Sequence, residues 1–151
     1  MDSKIETLLE QLENKYKLSD QDVTAYLEGL LYSGFVPYWD YVNLDTLLTL
    51  QKPKTTIKDE MIFIMYHQVT ELYFKMILHE MDQMAAVDAE KSFMIERLGR
   101  INRYFTILTD SFNVMTDGMD REQFLKFRMA LLPASGFQSA QYRKIEICST
   151  A

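Results

Sequence analysis

This sequence has two histidines, and both lie in the stretch "MIFIMYHQVTELYFKMILHE", Met61 to Glu80. An imidazole can accept or donate a hydrogen bond, move a proton or ligate a metal. His67 sits among apolar neighbours, where packing alone does not call for a polar ring. A lone histidine on such a helix face is more often a hydrogen-bonded core residue than a functional one. Taken alone, His67 keeps both readings open. His79 follows at a spacing that turns it well away from His67, so the two do not pair. Metal spacing is also lacking. Di-iron bundles use Glu-x-x-His, whereas Ile64 and Met76 stand three residues before the two histidines. The H-E-x-x-H zinc pattern is absent. Glu71, one turn after His67, would bring the ligands to two, which do not hold a metal. A non-haem metal enzyme is therefore not expected.

Arg128 is the second chemical residue. It lies in "FLKFRMALL", one turn after Phe124. Its commoner fate is to snorkel to the surface. The sharper reading has its guanidinium at an aromatic pocket, awaiting a carboxylate that it can grip in bidentate fashion. "PASGFQS", Pro133 to Ser139, combines small residues and glycine. It reads as a loop between helices, or as backbone that a ligand can approach closely. "YWDYV", Tyr38 to Val42, is an aromatic connection that either caps the core or reaches a neighbouring subunit.

The elements that must position these residues read as helices throughout. Ile5, Leu8, Leu9 and Leu12 mark a first amphipathic helix to about Tyr16. "LSDQDVTAYLEGLLYSGF" predicts a second, with Ser19 as N-cap and Gly34 as C-cap. "VPYWDYVNLD" is expected to be a non-helical connection, and "LDTLLTLQK" a short helix ended by Pro53. Lys58 to about Val87 forms the longest periodic segment, with Phe63, His67, Thr70, Phe74, Ile77 and Met81 near one another. Lys91 to about Met115 is the next helix, stopped by Gly118. Asp120 with Gln123 resembles a capping box for "REQFLKFRMALL", which Pro133 and Gly136 interrupt. "SAQYRKIEICSTA" begins a further helix that the sequence leaves mid-pattern, so the chain is expected to be cut short at its C-terminus.

Composition supports an all-α fold, a helical bundle around a long central helix. Residues 1–151 suffice for a single all-helical domain, or for the N-terminal portion of a longer helical one. Gly (5) and Pro (3) are too scarce for the turns of an all-β fold. A net charge of −6 argues against general nucleic-acid or anionic-membrane binding. Lys58, Glu60, Glu71, Lys75 and Glu80 break up the best candidate for a membrane span. The single cysteine, Cys148, rules out an internal disulfide and a cysteine-rich zinc site. With no signal peptide in "MDSKIETLLEQLENKYK", a reducing, cytoplasmic setting is expected.

Together, Phe63, His67 and Gln68 continuing into "TELYFKMILHEMD", then "FLKFR" and "PASGFQSAQYRKIE", resemble the tryptophan 2,3-dioxygenase family from about Tyr38 onward. The resemblance implies an all-helical homotetramer carrying haem b, which cuts the indole ring of L-tryptophan with O2 to give N-formylkynurenine, the first step of tryptophan catabolism by the kynurenine route. By position, His67 matches the residue that hydrogen-bonds the indole N–H. Phe63 matches a phenylalanine packed on substrate and haem. Arg128 matches the arginine that pairs with the substrate carboxylate. Phe124 stands where many members have a tyrosine, so that hydroxyl is lost. Ala134, Ser135 and Gly136 match a loop near haem and substrate. Tyr38, Tyr41 and Val42 match a segment that closes the neighbouring subunit's site, the last being commonly leucine. The iron ligand of the family is a histidine well beyond the SGFQS loop. Neither His67 nor His79 matches it, so the axial ligand is expected downstream of this chain. Two rivals share these features: a haem- or indole-binding relative without dioxygenation, and a cofactor-free helical interaction module.

Overall fold

Asp2 and Asp22 each place a carboxylate at the start of a helix, accepting the N–H of Lys4 at 3.0 Å and of Thr24 at 2.8 Å. These caps satisfy donors that the helix itself cannot. They open α1 (Ser3–Lys17) and α2 (Val23–Leu31). The computed structural model describes residues 2–85 and 90–150, and all the regular elements among them are helices. The chain divides into two compact units, residues 1–47 and 48–151.

In the first unit the expected cap of α2 moves. Ser19 donates instead to the Tyr16 carbonyl at 3.1 Å, closing α1. Asp20 adopts φ 54°, and the chain enters α2 only at Asp22. The helix ends at Tyr32 rather than Gly34. The aromatic connection is also more ordered than expected. α3 (Tyr38–Tyr41) and α4 (Leu44–Leu47) are single helical turns. Pro37, with φ −58°, suits the position before a helix, where a missing N–H costs nothing. Asn43, at φ 55°, turns the chain between them, and Trp39 Nε1 donates to Asp45 Oδ1 at 2.7 Å across that turn.

The second unit is built on α5 (Asp59–Met84), which packs against α6 (Lys91–Ser111), α8 (Arg121–Phe127) and α9 (Ala140–Ser149). Ile77, Ile101 and Ile145 are its buried centre, with Phe74, Leu78, Met81 and Leu108 around them. The end expected for α5 near Val87 lies outside the described residues. The helix expected over Lys91 to Met115 breaks at Phe112, and a separate turn, α7 (Asn113–Thr116), follows. Gly118 is where that turn must end. A Cβ there would lie 2.7 Å from the Val114 carbonyl oxygen.

Among the described residues of this unit, two carboxylates are buried. Glu60 accepts the N–H groups of Lys54 at 2.6 Å and Thr55 at 2.7 Å, fixing the loop before α5. Glu80 receives Arg97 at 3.1 Å, Arg100 at 3.5 Å, Tyr104 Oη at 3.4 Å and Gln83 Nε2 at 3.3 Å. It ties α5 to α6 at the end of the helix remote from His67.

Candidate functional site

The N-terminal half of α5 carries Phe63, Tyr66 and His67 along one side of a cleft of about 390 Å³. That size is in the range of small-molecule sites, roughly 300–1,000 Å³. Phe112, Met115, Thr116 and Met119, from the end of α6 through α7, form the facing wall. Arg121 and Phe124 of α8 complete it. The break after α6 therefore has a structural result, because it turns Met115 and Met119 back toward α5.

Aromatic packing holds the α5 side. The Phe63 and His67 rings lie 4.1 Å apart, tilted by 35°. Phe63 meets Phe127 edge-on at 5.6 Å, and Phe124 meets Phe127 at 5.5 Å and 90°. Phe127 is fully buried and anchors Phe63 and Phe124 from behind. Such ring pairs add to simple burial through their quadrupoles. Ser111 donates to the Leu108 carbonyl at 2.9 Å, so its one proton is used. The Tyr66 hydroxyl, 3.3 Å from Ser111 Oγ, is then the donor to it.

His67 adds a second polar group to this wall. Its Nδ1 lies 2.8 Å from the Phe63 carbonyl oxygen. A carbonyl accepts and never donates, so in the neutral ring Nδ1 holds the proton and Nε2 keeps a free lone pair. Gln68, the next residue, works outside the cleft. It accepts from Gln51 Nε2 at 2.7 Å and donates to the Leu50 carbonyl at 3.4 Å, tethering the preceding segment to α5.

The other residues singled out in the sequence are distributed differently. Arg128 is exposed and lies outside the cleft lining, its guanidinium carbon 5.9 Å from the Phe124 ring centroid. Ala134, Ser135 and Gly136 are exposed and do not line the cleft. Ser135 caps a short 3-10 turn. Its Oγ accepts the Phe137 N–H at 3.3 Å, while Gln138 Oε1 accepts the Ser135 N–H at 3.0 Å. Tyr38, Tyr41 and Val42 belong to the first unit, where all three are exposed. Thus Phe63, His67 and Phe124 share one cleft within the second unit. Tyr66, Phe112, Met115, Thr116, Met119 and Arg121 were not singled out in the sequence.

The residues present suit one face of a site for a planar aromatic group. Among the described residues no group of three or more His, Cys, Asp or Glu could hold a metal. His67 has Nδ1 committed to Phe63, and His79 is exposed further along α5. Among the described residues, no helix is long and apolar enough to cross a membrane.

The sequence model of the tryptophan 2,3-dioxygenase family matches residues 28–148. A relative of that name from Ruegeria sp. (strain TM1040) is 39% identical over 117 residues, covering 76% of this chain and 42% of the relative. One from Alteromonas mediterranea is 38% identical over 122 residues, covering 73% and 33%. One from Dictyostelium discoideum is 37% identical over 123 residues, covering 74% and 30%. The chain thus spans less than half the length of each of these curated relatives.

Proposed function

The chain belongs to the tryptophan 2,3-dioxygenase family, and from that premise we propose that it supplies the substrate-facing wall of an enzyme that opens the indole ring of L-tryptophan with O2, giving N-formylkynurenine. The observation that carries this reading is the 2.8 Å contact of His67 Nδ1 with the Phe63 carbonyl. It leaves Nε2 as an acceptor in a cleft lined mostly by aromatic rings and thioethers. An indole presents one N–H donor and two broad apolar faces, and this wall offers the complement of both.

Each residue then has a role that its chemistry can perform. Phe63 packs against the indole ring. His67 accepts the indole N–H and so fixes which edge of the ring faces inward. Arg128 provides a planar fork for the carboxylate beside Phe124. Phe124 contributes ring area but no hydroxyl. Haem b, when bound, supplies the O2 chemistry, with its iron ligand from outside these residues. Ala134, Ser135 and Gly136 lie near haem and substrate, and Tyr38, Tyr41 and Val42 close a neighbouring subunit's site in a homotetramer. These last assignments, and a cytoplasmic setting, are supported by the family likeness.

Calorimetric titration with L-tryptophan and 1-methyl-L-tryptophan tests the reading. The parent protein binds L-tryptophan about tenfold more tightly, the worth of one well-placed hydrogen bond, about 1.4 kcal/mol. His67→Ala erases the difference. Equal affinity of the parent for both ligands would sink the assignment of His67.

A further inference from the structure

Arg121 begins α8 and lines the cleft beside Phe124. Among the described residues its guanidinium has no hydrogen-bond, ion-pair or ring partner. Asp120 and Asp59, on the two helix starts that meet here, each accept another donor. Asp120 Oδ1 accepts the Gln123 N–H at 2.9 Å, and the Asp59 carboxylate accepts the Asp120 N–H at 2.7 Å. Glu122, the next residue, projects from a different side of the helix.

Arg121 and Phe124 stand at i and i+3 on α8, and Arg128 is the residue at its C-terminal cap. Phe124 thus has one arginine a turn before it on α8 and another just past the end of that helix. Arg128 lies beside the ring but outside the cleft, and Arg121 lies on the cleft wall itself. A carboxylate entering there gains a charge-assisted hydrogen bond that is stronger than a neutral one. An amine in the same place meets like charge.

We propose that Arg121 is a specificity-determining residue, selecting indole ligands that carry a carboxylate and acting together with Arg128. This rests on the reading of the cleft as an indole site and adds a second cation to it.

The test is calorimetric titration of the full chain with L-tryptophan, tryptamine and 3-methylindole, in the parent and in Arg121→Gln, Arg121→Lys and Arg128→Gln. Arg121→Gln weakens L-tryptophan about tenfold (about 1.4 kcal/mol). It leaves 3-methylindole unchanged and binds tryptamine more tightly than the parent does. Arg121→Lys recovers part of the loss, since it keeps the charge but not the fork. Should Arg121→Gln fail to fold by circular dichroism, Arg121→Lys carries the comparison, with a loss confined to L-tryptophan. Unchanged L-tryptophan affinity in Arg121→Gln overturns the proposal, as does an equal loss of all three ligands in a folded variant. A parent that binds 3-methylindole and L-tryptophan equally refutes carboxylate selection alone. A parent that binds neither refutes the indole cleft and this proposal together.

Discussion

Asp59 and Gln123 cap each other's helices across the second unit. The Asp59 carboxylate accepts the Asp120 N–H at 2.7 Å, and Gln123, one turn into α8, accepts the Asp59 N–H at 3.3 Å. The capping box expected for Asp120 and Gln123 is thus half intramolecular to α8. Asp120 accepts the Gln123 N–H at 2.9 Å, but the return arm goes to α5. This exchange sets where α8 starts relative to α5, and so where Phe124 meets Phe63.

Asp59→Ala should therefore cost about 1 kcal/mol, the usual worth of a lost cap. The shift appears as a lower urea midpoint with an unchanged slope. Ligand affinity of the cleft should fall in the same variant, because α8 loses its register. A midpoint equal to that of the parent would show that the exchange carries no stability.

Gly118→Ala and Gly136→Ala should separate cleanly. At Gly118 the new Cβ would meet the Val114 carbonyl oxygen at 2.7 Å, and a backbone atom cannot swing aside. At Gly136 it would meet nothing within 4 Å. Thermal melts should show Gly118→Ala destabilised by about 1–3 kcal/mol, the range for overpacking. Gly136→Ala should melt with the parent. Equal melting of both variants would mean that α7 can rearrange without cost.

Acid should loosen the joint between α5 and α6. Burial alone pushes the Glu80 carboxyl up, but the hydrogen bond from Arg97 and the charges of Arg100 and Arg97 outweigh it and hold it below the ordinary value of 4.5. Glu60 behaves likewise, its burial outweighed by Thr55, the Lys54 and Thr55 N–H groups and the Lys54 charge. A lowered folded pKa means stability that is present above the unfolded value and lost as pH falls through the folded one. Stability should therefore be level near neutral pH and decline below about 4.5. Glu80→Gln should cost about 2 kcal/mol at pH 7, since it leaves Arg97 without its buried partner. The gap to the parent should narrow in acid, where Glu80 itself becomes neutral. A gap that is the same at pH 3.5 and pH 7 would argue against the charge as its cause.

Much of this fold is legible in the chain because helical periodicity is a local property. Ile77, Phe74 and Met81 announce the buried face of α5 through spacing alone, and Asp120 announces the start of α8. The misread segments are those where a local signal has two physical outcomes. Ser19 looks like an N-cap, but its hydroxyl closes α1 instead. Pro37 looks like a helix breaker, but before a helix its fixed φ is an advantage. Of the candidate site, Phe63 and His67 are legible as helix neighbours, and Phe124 shares their cleft only through tertiary packing. Arg121 lies three residues before Phe124, a spacing that could have drawn attention to it. Its place in the cleft depends on the exchange with Asp59, which no local pattern reveals. Glu80 appears from sequence only as a charge that breaks an apolar run. Its burial becomes sensible once Arg97 and Arg100 arrive from the next helix.

The tautomer of His67 gives the most direct prediction for the site. With Nδ1 held 2.8 Å from a carbonyl oxygen, the neutral ring must carry its proton there. Long-range proton–nitrogen NMR on uniformly 15N-labelled protein, at a pH where the imidazoles are neutral, should show a protonated Nδ1 and a bare Nε2 for His67. His79, exposed on the same helix, serves as the internal reference for an unconstrained ring. Phe63→Ala should leave the tautomer intact, because the backbone carbonyl remains, while removing the ring stacked 4.1 Å away. It should cost about 2 kcal/mol, less than a fully buried phenylalanine, because Phe63 is only half-buried. Adding L-tryptophan should shift the Nε2 resonance of His67 and leave that of His79 in place. A His67 protonated at Nε2 in the free protein would remove the acceptor from the cleft, and with it the physical basis for reading this wall as an indole site.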